Sequence, residues 1–147
     1  MEVLYRTCAG MDVHKDSIVV CVRSMKGSKI EREIQTFGTT TSELIKLGDW
    51  LESRSCTHAV IEATGVYWRP VWHLLAERLE LILANAHEVR NVPGRKSDMN
   101  DATWLADLLA HGLVRASFVP PEPIADLRDL TRTRKQLARE IVEHTQR

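Results

Sequence analysis

Long hydrophobic runs are missing from this sequence. No apolar stretch approaches the roughly 20 residues needed to span a bilayer, and the first residues, Met1-Glu2-Val3-Leu4-Tyr5-Arg6, lack the basic-then-apolar order of a signal peptide. No membrane contact is expected, and the expected compartment is the cytoplasm. Cysteine is scarce: Cys8, Cys21 and Cys56 are odd in number, widely spaced and include no CxxC pair. That spacing argues against both a zinc knuckle and a disulfide framework. Cys8 and Cys21 fall in strand-like runs and read as small buried apolar side chains. Net charge is absent as well, with 20 Lys+Arg against 20 Asp+Glu. A simple basic DNA-binding module is thereby disfavoured, and local clustering must carry any contact with nucleic acid.

What is present is ordinary globular material: 147 residues, 44% hydrophobic and 27% charged, enough for one domain with a proper core. Tyr5 to Asp12 and Ser17 to Val22 read as two strands around the turn His14-Lys15-Asp16. Lys26-Gly27-Ser28-Lys29 is a hairpin turn into a third strand, Ile30 to Phe37. Thr40 with Glu43 forms a capping box ahead of Leu44, Leu47 and Leu51 at helical spacing. Ala59-Val60-Ile61 is a short apolar strand of the kind buried on both faces, and it ends in Glu62. Gly65 breaks the chain before a helix from about Tyr67 to Arg78, with Pro70 in its first part.

Leu81 to Ala84 is a further strand, His87 to Lys96 a polar loop, and Asp98 opens a helix to about His111. An antiparallel meander followed by parallel crossovers is the order of an RNase H-like α/β fold, a mixed five-stranded sheet with flanking helices. Pro120-Pro121 and Pro123 mark a boundary, giving a domain over 1–118 and a linker with the start of a helical region over 119–147. There Leu127, Leu130, Leu137 and Ile141 follow steps of three and four, with Arg134 and His144 in the remaining seam positions. No helix stop precedes Arg147, so the chain is expected to be part of a longer protein and to self-associate through this coiled-coil helix.

Carboxylates gather at the strand ends. Asp12 closes the first strand and Glu62 the fourth, and in an RNase H-like sheet those strands are neighbours. An acid at the end of an apolar strand is costly unless paired or bound to a cation. Asp98 and Asp101, three residues apart, would share one face of a helix start. Hard oxygen donors in this number suit Mg²⁺ or Mn²⁺ rather than zinc, and two such ions about 4 Å apart hold the attacking and leaving oxygens of a phosphodiester in line. Each residue has a plainer reading. Alone, Asp98 reads more readily as a helix N-cap, Asp101 as a first-turn acid against the helix dipole, and Asp12 as a solvated turn residue before Lys15. Glu62 resists such a reading, because Ala-Val-Ile immediately precedes it.

Three segments, Gly10-Met11-Asp12-Val13-His14-Lys15, Ile61-Glu62-Ala63-Thr64-Gly65-Val66-Tyr67-Trp68 and Lys96-Ser97-Asp98-Met99-Asn100-Asp101-Ala102, resemble in kind and order those of the Asp-Glu-Asp-Asp insertion-sequence transposases. These are DEDD recombinases with a RuvC-like N-terminal domain, members of which are guided by a bridge RNA. The resemblance implies that Asp12, Glu62, Asp98 and Asp101 form a catalytic, metal-binding tetrad for Mg²⁺ or Mn²⁺. It implies DNA and a guide RNA as partners, and a further domain with a serine nucleophile, without which this chain would not exchange strands.

Arg90, Arg95 and Lys96 precede the two later aspartates, where they either neutralise phosphates or solvate a mobile loop. Tyr67 and Trp68 either stack on a base or pack at a helix entrance. His14 is left outside the metal shell as a polar turn residue. Arg128, Arg132, Lys135 and Arg139 recur on the last helix, interleaved with acids, and read as a solvated exterior. The function expected is DNA cleavage and exchange in insertion-sequence transposition. The alternatives are a Holliday-junction-resolvase-like nuclease, an actin-like or sugar-kinase ATPase fragment, and a non-enzymatic assembly domain. Val13-His14-Lys15-Asp16 offers no Gly- and Thr-rich phosphate turn for the ATPase.

Overall fold

Alternation in the first 38 residues builds a meander. The computed structural model describes residues 3–96 and 98–146. Strands β1 (Thr7–Val13), β2 (Ser17–Lys26) and β3 (Lys29–Gly38) pair antiparallel in sequence order. The β2–β3 turn passes through Gly27 at φ +64°, a conformation that costs glycine little. After α1 (Thr41–Ser53), strand β4 (His58–Glu62) pairs parallel with β1, and after α2 (Trp68–Leu75), β5 (Glu80–Ala84) pairs parallel with β4. The sheet order is β3-β2-β1-β4-β5. This is the expected mixed five-stranded sheet of an RNase H-like fold. Helices α3 (Ala86–Asn91) and α4 (Asp101–Ala110) follow. Ala116 then bridges Ala84 along β5.

The strand period of two sends alternate side chains to opposite faces. On β3, Phe37 faces α1, its ring 5.5 Å from that of Trp50. Arg32, of the other parity, faces α4 and reaches Asp107 through two nitrogens. Under α4 lies a cluster of Cys8, Val60, Ala84, Val89, Trp104, Leu105, Leu108 and Leu109. All three cysteines are free and buried, and burial pushes the Cys8 thiol up to about 12 and Cys56 up to about 11.

One glycine decides how close α4 comes. A Cβ on Gly10 would collide with the Ala102 carbonyl oxygen, the Ala106 amide nitrogen and the Leu105 Cβ, so helix backbone lies directly on the middle of β1. A salt bridge fixes the rotation of the helix: Arg23, 2% exposed, donates to Asp107 at 3.1 Å, beside its cross-strand neighbour Arg32.

Several boundaries differ from expectation. The capping box is half formed: Thr40 accepts from the Glu43 amide, but the Glu43 carboxylate accepts from the Gly38 amide. Helix α2 stops at Leu75, and Arg78 folds back onto Asp49 and Glu52 of α1. The polar loop contains α3, capped by Asn85 and held by the buried Val89. The next helix does not open at Asp98. Asn100 is its N-cap, accepting from the Thr103 amide at 2.8 Å, and Asp101 is its first residue.

The chain divides into two compact units, one ending at Ser117 and one beginning at Phe118. The second is α5 (Glu122–Thr145), entered through Pro121 and Pro123, with Arg128 over the Phe118 ring at 5.9 Å. No described residue of α5 is buried. Among the described residues no helix is long and apolar enough to cross a membrane.

Candidate functional site

The parallel register of β1 and β4 ends at Met11 opposite Ile61, so Asp12 and Glu62 are the next rung. Both share the face of Gly10 and Val60, the face covered by α4. Because Gly10 admits the first turn of α4 at Ala102, the preceding Asp101 comes to the same edge. Three of the four expected carboxylates are thereby brought to one edge of the sheet, from a strand end, a neighbouring strand end and a helix start. The side chains of Asp12 and Glu62 are only 20% and 12% exposed.

The electrostatics follow from this placement. Burial pushes the Glu62 carboxyl above the usual carboxylate range, and the charges of Asp101 and Asp12 push it further. Arg90 and a hydrogen bond with Thr64 oppose the shift. Asp98 lies exposed on the turn ahead of the helix.

Each gathered acid has a basic companion. His14 Nε2 lies 2.9 Å from Asp12 Oδ2, Arg90 Nη2 lies 4.0 Å from Glu62, and Arg95 Nη2 donates to Asp101 at 2.6 Å and to the Met99 carbonyl at 2.8 Å. Arg90 and Arg95, expected to face phosphates, here face the carboxylates, while Lys96 is exposed. His14 is the site residue that sequence reasoning set aside. Its two-residue spacing from Asp12 was the available signal, and a turn histidine gave no reason to choose that partner over solvent.

Among the described residues no three His, Cys, Asp or Glu side chains are close enough to form a ready metal cage. The donor set nevertheless fits a hard divalent cation. It consists of carboxylate oxygens, mutually repelling and half withdrawn from water, an arrangement that a cation relieves.

Comparison with known proteins agrees with this architecture. A family model for DEDD-type transposases, the IS110 group, matches residues 9–147. No curated protein sequence matches the chain. Among solved structures, T. thermophilus RuvC in complex with Holliday junction substrate is similar with a TM-score of 0.52 at 11% identity, over 77% of this chain and 100% of that one. Archaeoglobus fulgidus Pelota aligns with a TM-score of 0.45 at 12% identity, over 90% of this chain and 37% of that one. The RuvC likeness establishes the fold. The family match spans nearly all of the sequence, and the chain belongs to the DEDD-type IS110 transposase family.

Proposed function

We propose that Asp12, Glu62 and Asp101, joined by Asp98, hold Mg²⁺ or Mn²⁺ and that this edge cleaves and exchanges DNA strands during insertion-sequence transposition. The observation that carries the reading is geometric: Asp12 and Glu62 form the next rung beyond the paired ends of β1 and β4, and α4, seated on Gly10, starts at Asp101 over the half-buried Glu62. When bound, divalent ions would neutralise phosphate oxygens and stabilise the charge that develops on the attacking and leaving oxygens. The chain's own residues do the positioning. The β1–β4 register sets the spacing of Asp12 and Glu62, and α4 sets Asp101. His14 orients the Asp12 carboxylate through its 2.9 Å contact. Arg90, Arg95 and Lys96 supply the phosphate contacts once DNA enters. Action in the cytoplasm, a guide RNA, a homo-oligomer built through α5, and a serine nucleophile in a further domain belong to the same reading.

Calorimetric titration with Mn²⁺ tests it on wild type, Glu62→Gln, Asp101→Asn and Asp98→Asn. Glu62→Gln and Asp101→Asn should each weaken binding about tenfold or more. An equal loss in Asp98→Asn places that residue in the shell, and no loss removes it. Unchanged affinity in both Glu62→Gln and Asp101→Asn overturns the metal assignment. Strand exchange on paired donor and target duplexes, with the chain alone and with a protein carrying the serine domain, tests the division of labour. Exchange by the chain alone would reject it.

A further inference from the structure

The turn that carries the chain away from Glu62 places apolar side chains in solvent. Val66 is 58% exposed and Tyr67 is 46% exposed. Folding does not account for the tyrosine. It occupies the N-cap position of α2, where Ser, Thr, Asp or Asn would satisfy an orphan amide, and it makes no capping hydrogen bond. Among the described residues none forms a hydrogen bond or ring contact with the Tyr67 side chain.

The exposed ring stands on a braced support. Gly65 turns the chain at φ +59°, the Thr64 amide donates to the Glu62 carbonyl at 2.9 Å, and the Arg69 amide donates to the Val66 carbonyl at 3.2 Å. The Trp68 indole N–H donates to the Gly65 carbonyl at 3.1 Å. Behind it Trp72 meets Trp68 edge-on with centroids 6.2 Å apart, on a helix whose Val71 and Leu75 are buried. A rigid aromatic that is solvated in the free protein offers contact area with little ordering cost, which is how recognition surfaces use tyrosine.

We infer that the Gly65–Trp68 turn is a nucleotide platform, on which the Tyr67 ring, flanked by Val66, receives an unstacked DNA base adjacent to the phosphodiester held at Asp12 and Glu62. The inference rests on the reading that DNA reaches this carboxylate edge, and it adds what the carboxylates cannot provide, a contact with a base. Continuity selects the occupant. The platform leaves the same strand end that carries Glu62, so a backbone seated at the acids brings its own nucleoside to the turn. A base inside a duplex has both faces covered, so the one on Tyr67 must be flipped or unpaired, and the chain must favour or create locally opened DNA. Stacking tolerates any base, because every base has a π-face, so the platform fixes position without reading sequence.

The test compares a dye-labelled thymidine oligonucleotide of about 20 nucleotides with an abasic strand of equal length, which keeps the phosphates and lacks the bases. By fluorescence anisotropy the wild-type chain should bind the thymidine strand about tenfold more tightly than the abasic one. Tyr67→Ala should bind both strands alike, and Tyr67→Phe should keep the preference. Mn²⁺ affinity, measured alongside, should be unchanged in both variants, which verifies their folding and separates this proposal from the metal reading. A preference that survives in Tyr67→Ala overturns the platform. So does a wild-type chain without preference, or one that binds neither strand, whatever its Mn²⁺ affinity. A Tyr67→Ala variant that keeps the preference but changes sedimenting mass would assign the ring to a protein contact instead.

Discussion

Glu62 couples stability to pH. Its carboxyl is raised above the ordinary value of 4.5 by burial and then by Asp101 and Asp12, so the folded, metal-free chain holds that proton more readily than the unfolded chain. The associated stability is fully present below the ordinary carboxylate pKa and is lost as pH rises through the elevated folded value. Glu62→Gln removes the dependence. In metal-free denaturant unfolding, the variant should gain on wild type between about pH 4 and pH 7, ending more stable at neutrality. A constant difference across that range would show that Glu62 is not strained by its neighbours. Arg95 makes the complementary case. Its guanidinium sits on Asp101 at 2.6 Å and competes with any other cation for that carboxylate. Arg95→Ala should therefore tighten Mn²⁺ binding severalfold while weakening DNA binding and flattening its salt dependence by about one phosphate contact. Calorimetry and anisotropy at two salt concentrations read both, and looser Mn²⁺ binding would reject the competition.

Helix α4 carries the site as an element, and two unlike contacts seat it. At Gly10 the requirement is space. Gly10→Ala drives a methyl into the Ala102 carbonyl and Ala106 amide, which should cost about 1–3 kcal/mol in denaturant unfolding and lift Asp101 away from Glu62. At Asp107 the requirement is charge. Asp107→Asn leaves the buried Arg23 guanidinium, whose Nη1 already has no hydrogen-bond partner among the described residues, without its counter-ion. The expected cost is about 3 kcal/mol. Changes under about 0.5 kcal/mol in either variant would show that packing elsewhere seats the helix. These contacts also explain what was legible in the sequence. Glu62 stood out because an acid closing an apolar run is a local anomaly, whereas Asp12 gained weight only beside it, and the meander was visible through its turns. The start of α4 was not, because Ser97, Asp98, Asn100 and Asp101 are all competent near a helix N-terminus. Local chemistry does not choose among them; the fit of Ala102 against Gly10, more than 90 residues away in sequence, distinguishes Asn100 as the cap. Helix α3 escaped notice because a single buried residue, Val89, holds it. The Arg23–Asp107 pair spans 84 residues and has no local pattern at all.

The whole molecule presents surface that its own core does not use. Along α5 the seam residues Leu127, Leu130, Leu137 and Ile141 are 53–68% exposed, and the helix has no buried residue. Most helical stability in proteins comes from packing an amphipathic face, and a stripe of leucines every three and four residues gains its stability by docking on a like stripe. The prediction is self-association through α5, weak because Arg134 interrupts the seam and because only one Leu-Leu pair and one Leu-Ile pair flank it. Equilibrium sedimentation should show a mass rising with concentration for the intact chain and a constant monomer for a chain ending at Ser117, where the first unit closes. Arg134→Leu should shift the association to about tenfold lower concentration by making the seam continuous. Leu130→Glu with Leu137→Glu should abolish it while leaving Mn²⁺ affinity unchanged, since the carboxylate edge lies in the other unit. If the intact and shortened chains sediment as identical monomers, α5 alone does not assemble this protein. If the double variant also loses Mn²⁺, the metal site depends on assembly, and the first unit does not hold its ligands by itself.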